Sequence, residues 1–321
     1  MMRYARQMQL PEIGETGQRK LARAHVVVVG AGGLGCPVLQ YLAGAGIGKI
    51  SIFDPDEVEE SNLHRQPLFG MADLGRPKAL AARDALRALN PYVEVLENVE
   101  ALGPGKAPKI AAQADLVIDA ADNFAASYIL SDACLATGTP FVSASVLGQT
   151  GYIGGFCGSA PSLRAVFPEL PATGATCATV GVLGPVVGVF GALQAQVALR
   201  IILGTQPALG QMITADLSKL HFGGFSFLGC PEPSSTIPFI AKTMLQGSDL
   251  VIDLRSDHEA PETICPQADR RSEEALRALV PGPGQRAVLC CQSGLRAWRA
   301  AKDLQVRGIT DLALLAAKAS T

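Results

Sequence analysis

The sequence predicts an α/β fold in which a doubly wound, mainly parallel sheet is followed by a small second α/β domain. Short apolar runs alternate with segments of helical periodicity, which is typical of strands and helices in βαβ units. The first apolar run, residues 26–29, leads directly into a glycine-rich turn. The length of 321 residues permits two or three domains with a substantial core.

Composition indicates a globular protein with no strongly charged partner. Apolar residues make up 48% of the sequence, so extended disorder is not expected. The formal net charge of -2 gives no electrostatic footprint for nucleic acid or for a membrane surface. Because the N-terminal residues contain no apolar signal core, we expect a cytoplasmic protein.

Residues 180–203 form the most apolar window, which is long enough to suggest a membrane span. Polar and helix-breaking residues interrupt it at Gly184-Pro185, Gln194, Gln196 and Arg200. We therefore predict a core helix buried between the sheet and a subunit interface, and no membrane partner.

The glycine-rich turn places Gly30, Gly32 and Gly35 before a predicted helix over residues 38–45. Such a G-x-G-x-x-G turn brings backbone close to a phosphate at a helix N-terminus, where free N–H groups and the helix dipole favour anions. The turn predicts a Rossmann-like nucleotide site, but it does not separate NAD, FAD and ATP users. Asp54 ends the next predicted strand, where a carboxylate either binds ribose hydroxyls or caps its own loop.

Lys78 lies in the first turn of the next predicted helix, which begins at Arg76 or Pro77 and ends before Asn90. A cation is unfavourable at this end of a helix because the helix dipole is positive there. Lys78 therefore either serves an anion bound nearby or is an ordinary surface lysine.

Later strands bring further acidic groups to the same edge of the sheet. Strands are predicted over residues 93–97, 116–120, 141–146 and 152–157. The strand over 116–120 delivers Asp122 and Asn123 at its carboxyl end, outside which ligands of open α/β sheets bind. Asp54 and Asp122 are therefore expected to face one crevice.

Turn residues at 229–235 indicate a domain boundary, which divides the chain into domains 1–235 and 236–321. Beyond the boundary we predict strands over 250–254 and 287–291 and a helix over 294–306. Cys290 is expected to be the last buried strand residue.

The chain carries seven motifs in order: Arg3-Tyr-x-Arg6-Gln7, Gly30-x-Gly-Gly-Leu-Gly35, Asp54-x-Asp56, Ser61-Asn-Leu-x-Arg65-Gln66, Gly75-x-Pro-Lys78, Asp122-Asn123 and Thr176-Cys177. With these motifs, residues 3–230 resemble the ThiF/MoeB/HesA family of adenylyltransferases, relatives of the ubiquitin-activating enzymes. The resemblance implies ATP-dependent activation of a small ubiquitin-fold sulfur carrier protein that ends in Gly-Gly. Its C-terminal carboxylate attacks the α-phosphate, pyrophosphate leaves, and an acyl-adenylate remains.

The resemblance also implies roles for the site residues. Asp54 would hold the ribose, backbone near Gly33 would approach the phosphates, and Asp122 would hold Mg²⁺. The triphosphate would contact Asn62, Arg65 and Lys78. Further nucleotide contacts are expected at Gly30, Gly32, Gly35, Asp56, Ser61, Leu63, His64 and Asn123. Arg6 would reach the phosphates from the partner subunit, which implies a homodimer with shared sites.

The chain departs from the family at a structural zinc site that many members build from two CxxC pairs. The eight cysteines of this chain form no CxxC pair, so we expect reduced thiols that are core residues or nucleophiles. The matching positions hold Ser162, Ala165, Cys230 and Pro233. Because a structural zinc ion needs four ligands, we predict that zinc is absent.

Cys177 matches the cysteine with which some relatives take up the acyl group. It is expected either to accept the carrier as a thioester or acyl disulfide, or to be an unreactive loop thiol.

The tail resembles a rhodanese domain at two places. Residues 251–255 resemble its first motif, and Cys291-Gln-Ser-Gly294-Leu-Arg296 resembles its C-x-x-G-x-R active loop, in which backbone N–H groups would stabilise a thiolate or persulfide. The segment is short for that fold, so the alternatives are a sulfurtransferase that uses Cys291 and Arg296 or a degenerate docking module.

Two carrier pathways and two other classes of function remain open. Thiamine and molybdopterin carriers both end in Gly-Gly; the Thr176-Cys177 loop favours the thiamine type, with a sulfur donor such as a cysteine desulfurase. An NAD(P)-dependent oxidoreductase would share the glycine turn and Asp54 but leaves Lys78 and Asp122 unexplained. A non-catalytic scaffold would have no reason to keep the nucleotide residues.

Overall fold

The computed structural model describes residues 2–170 and 180–319. The large sheet contains the strands β1 His25–Val29, β2 Lys49–Phe53, β3 Glu94–Asn98, β4 Leu116–Asp119, β5 Pro140–Leu147, β6 Thr150–Cys157, β7 Gln211–Asp216 and β8 His221–Ser226. The helices are α1 Gly14–Arg23, α2 Gly35–Ala45, α3 Lys78–Leu89, α4 Ala107–Ala111, α5 Phe124–Thr137, α6 Leu163–Val166, α7 Gly184–Leu203 and α8 Leu295–Val306.

The large sheet has the order β3-β2-β1-β4-β5-β6-β7-β8. Strands β1 to β5 pair in parallel, and β6 to β8 continue the sheet in antiparallel pairs. The chain runs outward from β1 to β3 and then returns to place β4 on the other side of β1. This reversal creates a crevice at the carboxyl ends of β1 and β4, where open α/β sheets bind their ligands. The predicted α/β class with a mainly parallel sheet is confirmed.

Helices cover both faces of this sheet and enclose two apolar cores. One core packs α1, α2, α3 and α7 against residues such as Val26, Val28 and Ile50. The other core lies under α4 and α5 on the opposite face, and it continues without interruption into α8 of the tail. The C-terminal segment therefore packs directly against the large sheet's helical layer.

The tail contains a second, parallel sheet of four strands. Its strands are β9 Leu250–Asp253, β10 Asp269–Arg270, β11 Ala287–Cys291 and β12 Leu312–Ala316, in the order β10-β9-β11-β12. A bridge from Phe239 to Leu314 extends the β12 edge. Strand β11 ends at Cys291, as predicted, but Cys291 is itself fully buried, so the prediction that Cys290 is the last buried strand residue is wrong.

Helix α2 begins at Gly35, three residues before the predicted start. Pro37 lies in its first turn, where the missing proline N–H breaks no hydrogen bond of the helix. Helix α5, the β7–β8 hairpin and strand β12 were not predicted.

Within the described part of the chain, one helix, α7, is long and apolar enough to cross a bilayer by length and composition. It packs against α2, β5 and β6, as expected for the predicted core helix. Its outer side leaves Leu183 and Val189 exposed.

Candidate functional site

The glycine turn packs tightly on the end of β4. Gly30 has φ +98, and a side chain there would place its Cβ 2.5 Å from the carbonyl oxygen of Ala120. A Cβ at Gly35 would overlap the carbonyl oxygen of Gly30. Both positions therefore require glycine, one for its backbone conformation and its close approach to β4, the other for space alone.

The turn presents unpaired backbone donors at the start of α2. The N–H groups of Gly32, Gly33 and Leu34 donate to no group in residues 2–170 or 180–319. They lie at the positive end of an 11-residue helix. Helix N-termini with free N–H groups are suited to bind phosphates, so this is the candidate anion-binding part of the site.

Asp54 follows β2 and lies beside the turn. Its Oδ2 accepts the N–H of Ala31 at 2.7 Å, and its Oδ1 accepts the N–H of Asp56 at 2.8 Å. Burial raises the pKa of Asp54, and the two backbone hydrogen bonds oppose that rise. These contacts are those of a residue that caps its loop. Each carboxylate oxygen keeps a further lone pair, and ribose binding stays a prediction.

Lys78 is the first residue of α3 and is only 6% exposed. Its Nζ lies 3.2 Å from Oδ2 of Asp56, whose side chain is 69% exposed. The alternative of an ordinary surface lysine is therefore wrong. A buried ammonium at a helix N-terminus is stabilised by anions. Within the described residues Lys78 has one ion pair, with the exposed Asp56 carboxylate, and it also interacts electrostatically with Asp54.

The segment after Asp56 forms a 3-10 turn, Glu60–Asn62, that begins the predicted triphosphate loop. Asn62 is buried, and its Nδ2 donates to Glu59 and Ser61. Arg65 is half-buried: its Nη1 donates to the carbonyl oxygen of Ser61 at 3.0 Å and contacts Nε2 of His64 at 2.9 Å. Leu63 is half-buried between these residues, and His64 is exposed.

Asp122 and Asn123 lie between β4 and α5. Asn123 caps α5, since its Oδ1 accepts the N–H of Ala126 at 2.9 Å. Asp122 is exposed, and its carboxylate makes no hydrogen bond or ion pair within the described residues. It is thus the available carboxylate at this side of the crevice. Mg²⁺ prefers such oxygen ligands together with substrate phosphates.

Arg6 lies far from the glycine turn of its own chain. Its neighbour Gln7 donates to the carbonyl oxygen of Ala45, at the carboxyl end of α2, at 2.8 Å. The turn is at the other end of this helix, about 16 Å away at 1.5 Å per residue. The structure therefore brings together the other nucleotide residues but not Arg6.

Residues 4–235 match the ThiF family. The chain belongs to the ThiF family. A protein of Thermus thermophilus named sulfur carrier protein adenylyltransferase is 43% identical over 229 residues, which cover 68% of this chain and 84% of that protein. The relative from Sus scrofa named adenylyltransferase and sulfurtransferase MOCS3 is 46% identical over 211 residues, 65% of this chain and 46% of that protein.

A ThiF-family relative from Aspergillus terreus, named adenylyltransferase and sulfurtransferase uba4, matches further into the tail. It is 43% identical over 304 residues, which cover 89% of this chain and 62% of that protein. The chain spans about half the length of the MOCS3 relatives that it matches.

Solved structures show the same fold at lower identity. The structure of E. coli MccB with MccA-N7isoASN has a TM-score of 0.64 and 24% identity, covering 72% of this chain and 73% of that chain. PaaA has a TM-score of 0.59 and 20% identity, covering 71% and 73%. These structures show that the large domain shares the fold of MccB and PaaA.

The positions of the ThiF-family zinc site hold a different set of contacts. Ser162 donates its Oγ to Glu232 at 2.5 Å, and its N–H donates to the other oxygen of Glu232 at 2.7 Å. Of the four matching positions only Cys230 offers a thiolate, so they do not fit a structural zinc ion. Residues 2–170 and 180–319 contain no group of three or more His, Cys, Asp or Glu side chains that could hold a metal.

Cys177 and Cys291 are the two candidate sulfur-transfer residues. Thr176 and Cys177 lie outside the described residues. Cys291 is fully buried, and its Sγ accepts the N–H of Ala297 at 3.4 Å. Arg296 is half-buried and donates to the carbonyl oxygen of Leu254 at 2.9 Å and to Glu259 at 2.5 Å. In the tail, the loop after Cys291 leads directly into α8, and the Cys291 thiol is buried away from solvent.

Sequence reasoning missed Asp119, the last residue of β4, which is fully buried below the Asp122 loop. Its Oδ1 accepts the N–H of Ala121 at 3.1 Å, and its Oδ2 accepts the hydroxyl of Ser143 at 2.7 Å. Gln194 of α7 donates to the backbone oxygen of Asp119 at 2.5 Å. The only local signal was an acidic residue at the end of an apolar strand.

Burial raises the pKa of Asp119 from 3.8 to about 6, against the hydrogen bonds that it accepts. The folded chain holds the Asp119 proton more tightly than the unfolded chain does, so proton binding adds to the free energy of unfolding. This contribution is complete below about pH 4 and is lost as the pH rises through about 6. We expect Asp119→Asn, which cannot ionise, to gain up to about 3 kcal/mol in free energy of unfolding relative to the parent between about pH 4 and pH 7. Urea unfolding at both pH values measures this.

The matched control for Asp119→Asn is Asp303→Asn, at an exposed position on α8. Its difference from the parent is expected to stay constant with pH. An Asp119→Asn difference that is equally constant would contradict the effect of burial.

Proposed function

We propose that this adenylyltransferase activates the C-terminal glycine of a small ubiquitin-fold sulfur carrier protein with ATP and releases pyrophosphate. The observation that carries the proposal is the convergence of free N–H groups, a buried cation and acidic side chains at one crevice. Gly32 and Gly33, Lys78, Asp54 and Asp122 all lie at the carboxyl ends of β1, β2 and β4 or directly beside them. The relatives named above carry the same activity in their names.

In the proposed reaction, the triphosphate lies along the N-terminus of α2. The carrier's terminal carboxylate attacks the α-phosphorus, the bond to the β-phosphate oxygen breaks, and the electron pair leaves with pyrophosphate. Negative charge moves onto the leaving group in this step, so positioned cations and N–H donors stabilise the transition state. Lys78 and Arg65 supply the cations, and the N–H groups of Gly32 and Gly33 supply the donors.

Asp122 fits the proposed Mg²⁺ because its carboxylate is exposed at the crevice. Mg²⁺ bound there would supply positive charge to the phosphates. Asn123 would act indirectly, since its side-chain oxygen is committed to the α5 cap. We propose that no structural zinc is present; one equivalent of zinc per chain after washing with a chelator would contradict this.

We propose a homodimer in which Arg6 serves the partner's site. Arg6 is exposed at the far end of α2, too distant for its own glycine turn. A groove of about 410 Å³ opens beside it, between α2 and α7, and is lined by Gln7, Tyr41 and Leu199 among others. The exposed apolar residues of α7 and Tyr41 are suited to cover by a second copy.

Mixing two inactive variants tests the shared site. Arg6→Ala and Lys78→Ala damage different subunits of one site, so a mixed dimer contains one intact site and one doubly damaged site. With random exchange in an isologous dimer, we expect roughly a quarter of the parent's pyrophosphate exchange to return. Failure of the equimolar mixture to exceed either variant alone would argue against an arginine supplied by the partner.

Cys177 is proposed as the nucleophile that accepts the activated carrier. The expected result for Cys177→Ser is loss of thiocarboxylate formation with pyrophosphate exchange unchanged, because adenylation does not need the thiol. Mass spectrometry of the carrier measures the first, and an exchange assay the second. Normal thiocarboxylate formation by the variant would show that Cys177 is an unreactive loop thiol.

The carrier is proposed to be of the thiamine type, with the molybdopterin carrier as the alternative. A sulfur donor such as a cysteine desulfurase would complete thiocarboxylate formation. Pyrophosphate exchange with each purified carrier tests the proposal, and activity with one carrier only assigns the pathway. Stabilisation by NAD rather than ATP in a thermal-shift assay, with no exchange, would instead support an oxidoreductase.

A further inference from the structure

The Cys291 loop of the tail lies against the nucleotide domain. Gly294, the last residue of the loop and the N-cap of α8, has φ +85. A Cβ at this position would lie 2.7 Å from Cε1 of Phe239 and 3.4 Å from Cβ of Ala125. The loop therefore packs closely under one aromatic ring of the tail, and an added methyl group would reach van der Waals contact with the first turn of α5.

The turn of α5 that lies next to the loop is the one that presents the candidate nucleotide ligands. Ala125 is the second residue of α5, Asn123 caps this helix, and Asp122 directly precedes the cap. On the inner side, Asp119 holds this segment through the N–H of Ala121. On the outer side, the tail supplies the contact.

Backbone hydrogen bonds hold Phe239 in place over the loop. The N–H of Ile240 donates to the carbonyl oxygen of Leu314 at 2.8 Å, and the N–H of Leu314 donates to that of Pro238 at 2.8 Å. The Phe239 side chain is only 7% exposed. Lys302 of α8 adds an ion pair across the junction, 2.9 Å from Glu169.

We propose that Gly294 and Phe239 are positioning residues for the nucleotide site, acting through the first turn of α5 on Asp122 and Asn123. The role of Asp122 and Asn123 rests on the proposed function, but nucleotide binding can be measured without any carrier. Cys291, Phe239 and Ala125 belong to one apolar core, and Cys291 is fully buried in it, so we propose that loosening this contact exposes the thiol. By linkage, nucleotide binding and the sealing of Cys291 favour each other to an equal extent.

Gly294→Ala tests the contact by adding a methyl group to it. Its matched control is Gly308→Ala in the same tail, where φ is +88 and nothing lies within 4 Å of the added Cβ. Both glycines have nearly the same positive φ, so the variants share this source of backbone strain and differ in packing. Calorimetric titration of the full chain with MgATP is expected to give binding about fivefold weaker or more for Gly294→Ala and unchanged binding for Gly308→Ala.

Phe239→Ala tests the same contact by removing atoms, should Gly294→Ala fail to fold. It is expected to weaken MgATP binding and to speed alkylation of Cys291 by N-ethylmaleimide, followed by mass spectrometry. Its control is Phe225→Ala, at a half-exposed position on β8. In the parent chain, MgATP is expected to slow alkylation of Cys291.

Equal MgATP affinity in Gly294→Ala and Gly308→Ala, or in Phe239→Ala and Phe225→Ala, would overturn the inference. Alkylation of Cys291 at one rate with and without MgATP would do so too. Either result leaves the proposed function intact if pyrophosphate exchange is normal. Absence of MgATP binding in the parent chain would instead reject the proposed function.

Discussion

Lys78→Ala is expected to lower carrier-dependent pyrophosphate exchange by about 10²–10³, because it removes a charge that stabilises the transition state. The fold should survive the change. The partner of Lys78, Asp56, has a side chain that is 69% exposed, so water replaces the lost ion pair. Exchange assays and thermal unfolding of the same preparations measure the two effects, and Arg65→Ala is expected to behave in the same way.

Lys49→Ala provides the control for Lys78→Ala. Lys49 is the first residue of β2, at the end of the strand opposite Asp54. Its Nζ lies 3.8 Å from Oε1 of Glu94, and both side chains are exposed. Exchange by this variant should equal that of the parent. If both Lys78→Ala and Arg65→Ala keep pyrophosphate exchange within a few-fold of the parent, the proposal that Lys78 and Arg65 contact the triphosphate is wrong.

Gly35→Ala is expected to lower the free energy of unfolding by about 3 kcal/mol, the upper end of the usual cost of overpacking, because the added atom meets rigid backbone. The added Cβ would overlap the carbonyl oxygen of Gly30, and a backbone atom cannot rotate away as a side chain can. The backbone of Gly30 lies against Ala120 with φ +98, so the Gly30 carbonyl group cannot shift to make room for the added Cβ. Chemical denaturation of the full chain measures the loss.

Gly70→Ala is the control for Gly35→Ala. Gly70 has φ -125, which alanine adopts readily, and nothing lies within 4 Å of a Cβ there. Its effect should stay within about 0.5 kcal/mol. A Gly35→Ala chain as stable as the Gly70→Ala chain would show that the turn has more room than the structure indicates.

The parallel half of the fold could be predicted because its signals are local. The apolar run before Gly30 and the acidic residue at Asp54 each depend on a few neighbouring residues and on strand geometry. The order of the strands then brings the predicted residues to one crevice. Lys78 was predictable for the same reason, since a cation at a helix N-terminus conflicts with the dipole.

The parts that could not be predicted depend on residues distant in sequence. The burial of Asp119 follows from β4 lying between β1 and β5, and its hydroxyl partner, Ser143, belongs to another strand. The β7–β8 hairpin was missed because every residue of β8 is exposed and its two glycines weaken the strand pattern. The burial of Cys291 depends on an apolar core built from both sheets, for which the loop motif carries no signal.

The continuous apolar core between α5 and α8 limits how this protein can be divided. A chain cut after residue 235 would lose Phe239, Trp298 and Leu304 from that core and expose the apolar side of α4 and α5 to water. Exposed apolar surface of this kind promotes self-association. We therefore expect the nucleotide domain expressed alone to form soluble aggregates, visible by light scattering, which the intact chain avoids. On this expectation the tail covers an apolar surface of the nucleotide domain and keeps that domain from self-associating, whether or not the tail transfers sulfur.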